Sequence, residues 1–291
     1  MQNPLSTAIS LAAAITVAGG FTLGAPAGRI AAPGAAIDSN DGPPARDPSP
    51  GYQAPRATDG HPDLNGIWQA VNTANWDIQD HPARQGPLIA LGAAFSIPAG
   101  AGVVEGNDIP YQPWASEKKK QNADNWLTLD PEIKCYLPGV PRATYMPHPF
   151  QIVQARNTIL IAYEFAGASR IVRMTKTEDA PIDSWMGWSR GRWEGETLVV
   201  DVTGFNDRTW FDRAGNFHSE ALHVVERYSR AGADHLRYEA TIEDPKVFTR
   251  PWKMSMPLYR RTEKNAQLFE YKCVEFVEEL MYGHLRKKDP K

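Results

Sequence analysis

The chain has 291 residues, 42% hydrophobic and 10% aromatic, which is enough for a substantial core and excludes disorder over most of the length. Its formal net charge of −3 gives no electrostatic footprint for nucleic acid or an anionic membrane. With 24 prolines and 23 glycines, turns are expected to be many and long helices few.

Residues 6–23 form an uncharged run of Ala, Ile, Leu and Val, followed by Ala25-Pro26-Ala27. An apolar run before a small-x-small site predicts a secretory signal peptide over 1–27 and a periplasmic or secreted protein. No Lys or Arg precedes the run, so an uncleaved anchor is the alternative, although the run is short for a stable span. No stable membrane span is expected after processing. Residues 28–57 are rich in Pro, Gly and Ala and read as a disordered tether, leaving 58–291 as a single barrel domain.

Order is expected to begin near Thr58, and Gly66-Ile67-Trp68 reads as the opening strand of a small barrel. Its Trp68 either closes one end of a ligand lumen or is an ordinary core residue. Residues 78–111 show no clean period and predict a long excursion. Residues 114–126 are the best helix, with Lys118-Lys119-Lys120 on a solvated side. Cys135 and Cys273 are the only cysteines. In an oxidising compartment they can pair, the alternative being two buried thiols, and no C-x-x-C supports zinc or redox chemistry.

From Phe150 onward the pattern is strands. Residues 150–155 and 158–165 flank Arg156-Asn157, 189–193 and 196–203 flank Glu194-Gly195, and 220–230 and 235–243 flank a Gly-containing turn. Residues 169–174 follow the first pair, and 254–261 with 267–276 form the last. Short connections force antiparallel neighbours. The fold class is therefore all-β, an up-and-down antiparallel barrel of about eight to ten strands with one short helix, and an open sandwich is the alternative.

The motifs T-D-G-H-P-D-L-N-G-I-W, D-P-E-I-K-C-Y-L-P-G-V-P-R, G-R-W-E-G-E-T-L-V-V-D-V-T-G-F-N-D and H-S-E-A-L-H-V-V-E-R resemble those of a large family of exported bacterial proteins. The likeness spans residues 58–275 and implies a lipocalin-like barrel and export. The chain departs from that family at 177–181, where members carry a charged Asp-Gly turn, and at Trp188, where they often carry His.

Alternation bears on the chemistry. Thr158, Leu160, Ala162 and Glu164 share a face, as do Thr197, Val199, Asp201 and Thr203, while both faces of residues 221–229 are mixed. A carboxylate among valines is expensive to bury unless it is paired or faces a ligand. Such positions predict a lumen lined by Glu164, Asp201 and either His223 or Glu226, or else wet outer positions. The loop Asn206-Asp207-Arg208-Thr209-Trp210-Phe211-Asp212 is placed to close one mouth, with His218 beside it.

Asp201, His218, His223, Glu164 and Glu226 are thus the catalytic candidates. Trp68, Trp188, Asn206, Asp207, Trp210 and Tyr228 are the candidates for substrate contact. Gly187-Trp188-Ser189-Arg190-Gly191 fits G-x-S-x-G but leads into a strand rather than a helix, so it is not read as a nucleophile elbow. In His218-Ser219-Glu220-Ala221-Leu222-His223 the two histidines are five apart, which puts them on opposite faces of a strand, and no metal site is assigned. Phosphate loops and dinucleotide fingerprints are lacking, so no cofactor is expected. Three functions stay open: a cofactor-independent acid/base enzyme for a small apolar or aromatic molecule, a carrier of such a ligand, and an envelope scaffold filled by its own side chains. Oligomeric state is not legible.

Overall fold

The computed structural model describes residues 51–86, 89–175 and 178–285. The expected signal peptide and most of the expected tether lie outside these residues. Contacts to the barrel begin ahead of Thr58, because Tyr52 accepts a hydrogen bond from Arg230 and Arg56 pairs with Glu196.

Nine strands close into a barrel: β1 (Gly66–Gln69), β2 (Phe150–Ala155), β3 (Thr158–Tyr163), β4 (Ser169–Arg173), β5 (Trp188–Glu194), β6 (Thr197–Thr203), β7 (His223–Gly232), β8 (His235–Glu243) and β9 (Trp252–Arg260). β1 is the closing stave, pairing with β9 on one side and β2 on the other. Most strands alternate in burial, β6 departing from it with Leu198, Val199 and Val200 all buried. On β7, Val224, Glu226, Tyr228 and Arg230 point inward, while His223, Val225, Arg227 and Ser229 face outward. Ile152, Ile161, Val200, Val224, Leu236 and Met254 meet in the interior.

The hairpin spacing read from the sequence places most of the sheet. Arg156-Asn157 joins β2 to β3, with Ala155 opposite Thr158. The β5–β6 turn falls one residue later than expected, on Gly195-Glu196, because Glu194 still pairs with Thr197 and Gly195 takes the positive φ of 59° that the tight turn requires.

The sheet departs from a pure meander at one seam. β4 and β5 run parallel, with Val172 opposite Ser189 and Arg173 opposite Arg190. A parallel neighbour needs a long connection, which residues 174–187 supply, so the fold is a closed mixed barrel. A second correction concerns residues 267–276, expected as a last strand. Both edges of β9 are already taken, by β8 and β1, so this segment has no ladder to join. It is instead fastened by the Cys135–Cys273 disulfide, with Cα atoms 5.6 Å apart, and by the Phe276 amide donating to Ile133 O.

Between β1 and β2 the chain makes the expected excursion. It includes helix α1 (Pro113–Asp124), which starts on a proline, and a turn of helix at Arg142–Tyr145. Arg142 sits in a buried network: it grips Asp130 at 2.8 and 2.9 Å and Glu132 at 2.7 Å, and Arg213 takes the other side of Glu132 at 2.7 and 2.8 Å. This network fixes the segment carrying Thr144 against the barrel. Among the described residues, no helix is long and apolar enough to cross a membrane.

Candidate functional site

One group of polar side chains inside the barrel converges at a single level. β4 runs Ser169-Arg170-Ile171-Val172-Arg173, and alternation turns Arg170 and Val172 inward. From β4 the Arg170 guanidinium reaches across to Glu226 on β7, meeting its carboxylate through both terminal nitrogens, at 2.5 and 2.9 Å. Tyr228 and Tyr238 donate to the same Glu226 oxygen at 3.0 and 2.8 Å. Arg170 also donates Nε–H to Tyr163 Oη at 3.0 Å and Nη1–H to Ser189 Oγ at 3.3 Å. Glu226 is 0% exposed.

A buried bidentate pair survives because nearly every lone pair and proton is matched. Burial works against the Arg170 charge, but Glu226 outweighs it and holds the guanidinium firmly protonated. Burial, then the negative Glu226, push Tyr228 and Tyr238 well above the ordinary phenol range, so both are neutral donors. Tyr163 is raised as well, chiefly by burial.

Two hydroxyls in this cluster keep unspent capacity. Tyr163 accepts from Arg170, and the hydroxyl of Thr144 stands beside its own. Thr144, from the turn at Arg142–Tyr145, lies beside Tyr163 and Tyr228 and is fully buried, yet makes no hydrogen bond of ordinary geometry. A buried hydroxyl left over costs about 1–3 kcal/mol, which a ligand oxygen or a water would recover.

Of the residues singled out in the sequence, Glu226 and Tyr228 belong to this cluster. Asp201 and His223 come together elsewhere, on the outer face of the barrel. His223 Nε2 is 3.0 Å from Asp201 and its Nδ1 is 3.3 Å from Glu243, while Arg190 holds Asp201 at 3.3 Å. Alternation decides this, because Val200 and Val202 take the inward positions of β6 and leave Asp201 outside. Glu164 lies just past β3, near His148 at 3.3 Å and accepting from the Phe269 amide.

His218 is enclosed in the loop after β6. Its Nδ1 is 2.8 Å from Ser219 O and so donates, which leaves Nε2 to accept from Thr209 Oγ1 at 2.6 Å. Burial pulls its pKa below the usual value, so the ring is neutral. Trp68 is fully buried and donates to Leu64 O. Trp188 lies under the Arg173 guanidinium, 3.4 Å from its ring centre. Asn206 caps the Arg208 amide, Asp207 is exposed, and Trp210 packs partly buried against the core.

Sequence reasoning missed Arg170, Tyr163, Tyr238 and Thr144. The only available signal for Arg170 was a cation inside a β-branched strand, and Arg173 on the opposite face gave the same signal. Asp212, at the end of the loop that the sequence placed at one mouth, is buried and accepts from the Ile78 amide at 2.9 Å and from Asn216 at 2.6 and 3.1 Å. Burial first, then the nearby Asp77, raise Asp212 to about 7. Among the described residues, no group of His, Cys, Asp and Glu is arranged to hold a metal ion. No protein-family model matches the chain, and no curated protein sequence matches it.

Proposed function

We propose that this chain is an exported barrel protein that takes a small, uncharged, largely apolar molecule bearing a hydroxyl, ether or carbonyl oxygen, and performs acid/base chemistry on it without a cofactor. The observation that carries this reading is the Arg170–Glu226–tyrosine cluster, with the hydroxyls of Tyr163 and Thr144 beside it among the aliphatic side chains of the core. The Arg170 and Glu226 charges cancel, so a charged group placed against this cluster would find no counter-charge there and a large desolvation cost. A neutral oxygen suits the leftover donors, and the aliphatic walls suit the rest of the molecule.

In this reading Tyr163 and Thr144 hold the substrate oxygen. Tyr163 supplies a proton to it as charge develops, and Glu226 takes up a proton from the substrate through Tyr228 or Tyr238. That is the proton balance of a hydration, dehydration, isomerisation, cyclisation or ether cleavage. The carrier reading uses the same residues with no proton moved. The four bonds Glu226 already receives favour it, because they tie the carboxylate to the chain's own donors.

Tyr163→Phe tests the site. It removes one hydroxyl and keeps the ring, so ligand retention is expected to fall about tenfold with the fold intact. Unchanged retention in both Tyr163→Phe and Thr144→Val would contradict the assignment.

A further inference from the structure

Arg230 lies four residues beyond Glu226 on the same inward face of β7, over the buried ring of Trp68. It is only 6% exposed, and every group it donates to is uncharged: Asp63 O at 3.1 Å, Tyr52 Oη at 3.0 Å and Ala233 O at 2.6 Å. Among the described residues no carboxylate stands within ion-pair distance of it, and its Nε–H is buried without an acceptor.

A second guanidinium shares the same ring. Arg260 lies 4.3 Å from the Trp68 ring centre and Arg230 lies 5.5 Å from it. Arg260 gives Nη1–H to Asn65 O at 2.9 Å, and Gly66 makes room for it, since any side chain there would collide with the guanidinium. The acids nearby do not balance the pair. Asp234 is 3.6 Å from Arg260 Nε with its side chain half in solvent, and Asp63 Oδ1 is committed to the Asn65 amide and side chain at 2.9 and 2.7 Å. Burial, and next the charge of Arg230, lower the Arg260 pKa.

Buried cations are normally accompanied by an anion, because carbonyls and an aromatic face recover only part of the lost hydration. Here two cations, Arg230 buried and Arg260 partly exposed beside Asp234, are held side by side with one free buried donor. We propose that Arg230 and Arg260, over Trp68, bind a small oxyanion, the carboxylate or phosphate-like group of a ligand from solvent. Arginine suits this role, since its planar donors match a pair of oxygens. The site is separate from the Arg170–Glu226 cluster and does not depend on what that cluster does.

The test is calorimetric titration of the full chain with sodium phosphate, sodium sulfate and sodium acetate, with chloride holding ionic strength constant. Saturable uptake of at least one oxyanion is expected. Acetate alone would identify a carboxylate site, and phosphate or sulfate alone a tetrahedral-anion site. Arg260→Gln should weaken binding at least about tenfold. Asp234→Asn, which removes an exposed competing acid and leaves the core untouched, should tighten it by about twofold to fivefold. The proposal is overturned by no saturable heat in both the wild-type chain and Asp234→Asn, or by one affinity across all variants that fold.

Discussion

Asp212 shows how a single residue couples the excursion to the barrel loops. Its carboxyl is raised to about 7 by burial and by Asp77. A group whose folded pKa is raised contributes stability that is fully present below its unfolded value of about 4 and is lost as pH rises through about 7. Asp77→Asn removes the like charge while keeping an acceptor for the Gln79 amide. It should therefore stabilise the chain at pH 8 by about 1 kcal/mol and flatten its loss of stability between pH 5 and 8. Denaturation midpoints across that range check this, and an unchanged slope would contradict it.

The residue scale is also where the sequence was hardest to read. Period two shows that Glu226 and Tyr228 share a face and that Asp201 shares one with Val199, but not which face turns inward. Glu226 turned in and Asp201 turned out, and the partner that makes Glu226 tolerable, Arg170, comes from a strand three positions away around the barrel.

At the scale of elements, the turn at Arg142–Tyr145 is held by charge rather than by its own helical bonds. Burial works against the Glu132 carboxylate, but Arg213 and Arg142 outweigh it and hold its pKa at about 2. Its contribution is present above the unfolded pKa of about 4.5 and is lost as pH falls through about 2. Arg142→Ala would strand Asp130 and Glu132 without their shared cation, and is expected to cost about 3–5 kcal/mol in chemical denaturation. A loss below 1 kcal/mol would show that the network carries little of the stability. Elements with local signatures were legible: β2–β3 by Arg156-Asn157, β5–β6 by its glycine, and α1 by its span. The parallel β4–β5 seam was not, since it depends on where the connection 174–187 travels. The idle segment 267–276 was not legible either, since it depends on β1 having taken the last edge of β9.

For the whole molecule, the disulfide joins points 138 residues apart and ties the segment after β9 back to the excursion. In the chain-entropy account, closing so long a loop stabilises by about 4–5 kcal/mol. Cys135→Ser with Cys273→Ser should therefore lower the denaturation midpoint to that of the reduced wild-type chain, and equal stability of the oxidised and reduced forms would contradict this. A chain that relies on such a bond suits an oxidising compartment, in keeping with the proposed export.

The central claim is that the inside of the barrel, at Tyr163, Thr144 and the Arg170–Glu226 pair, receives a neutral oxygen-bearing molecule. Mass spectrometry of small molecules released on unfolding the chain, purified natively from its own cells, tests this most directly. An uncharged, mainly apolar compound with at least one oxygen is expected, present in wild type and depleted in Tyr163→Phe. Release of no uncharged organic compound from either protein, or of one held equally by both, would contradict it.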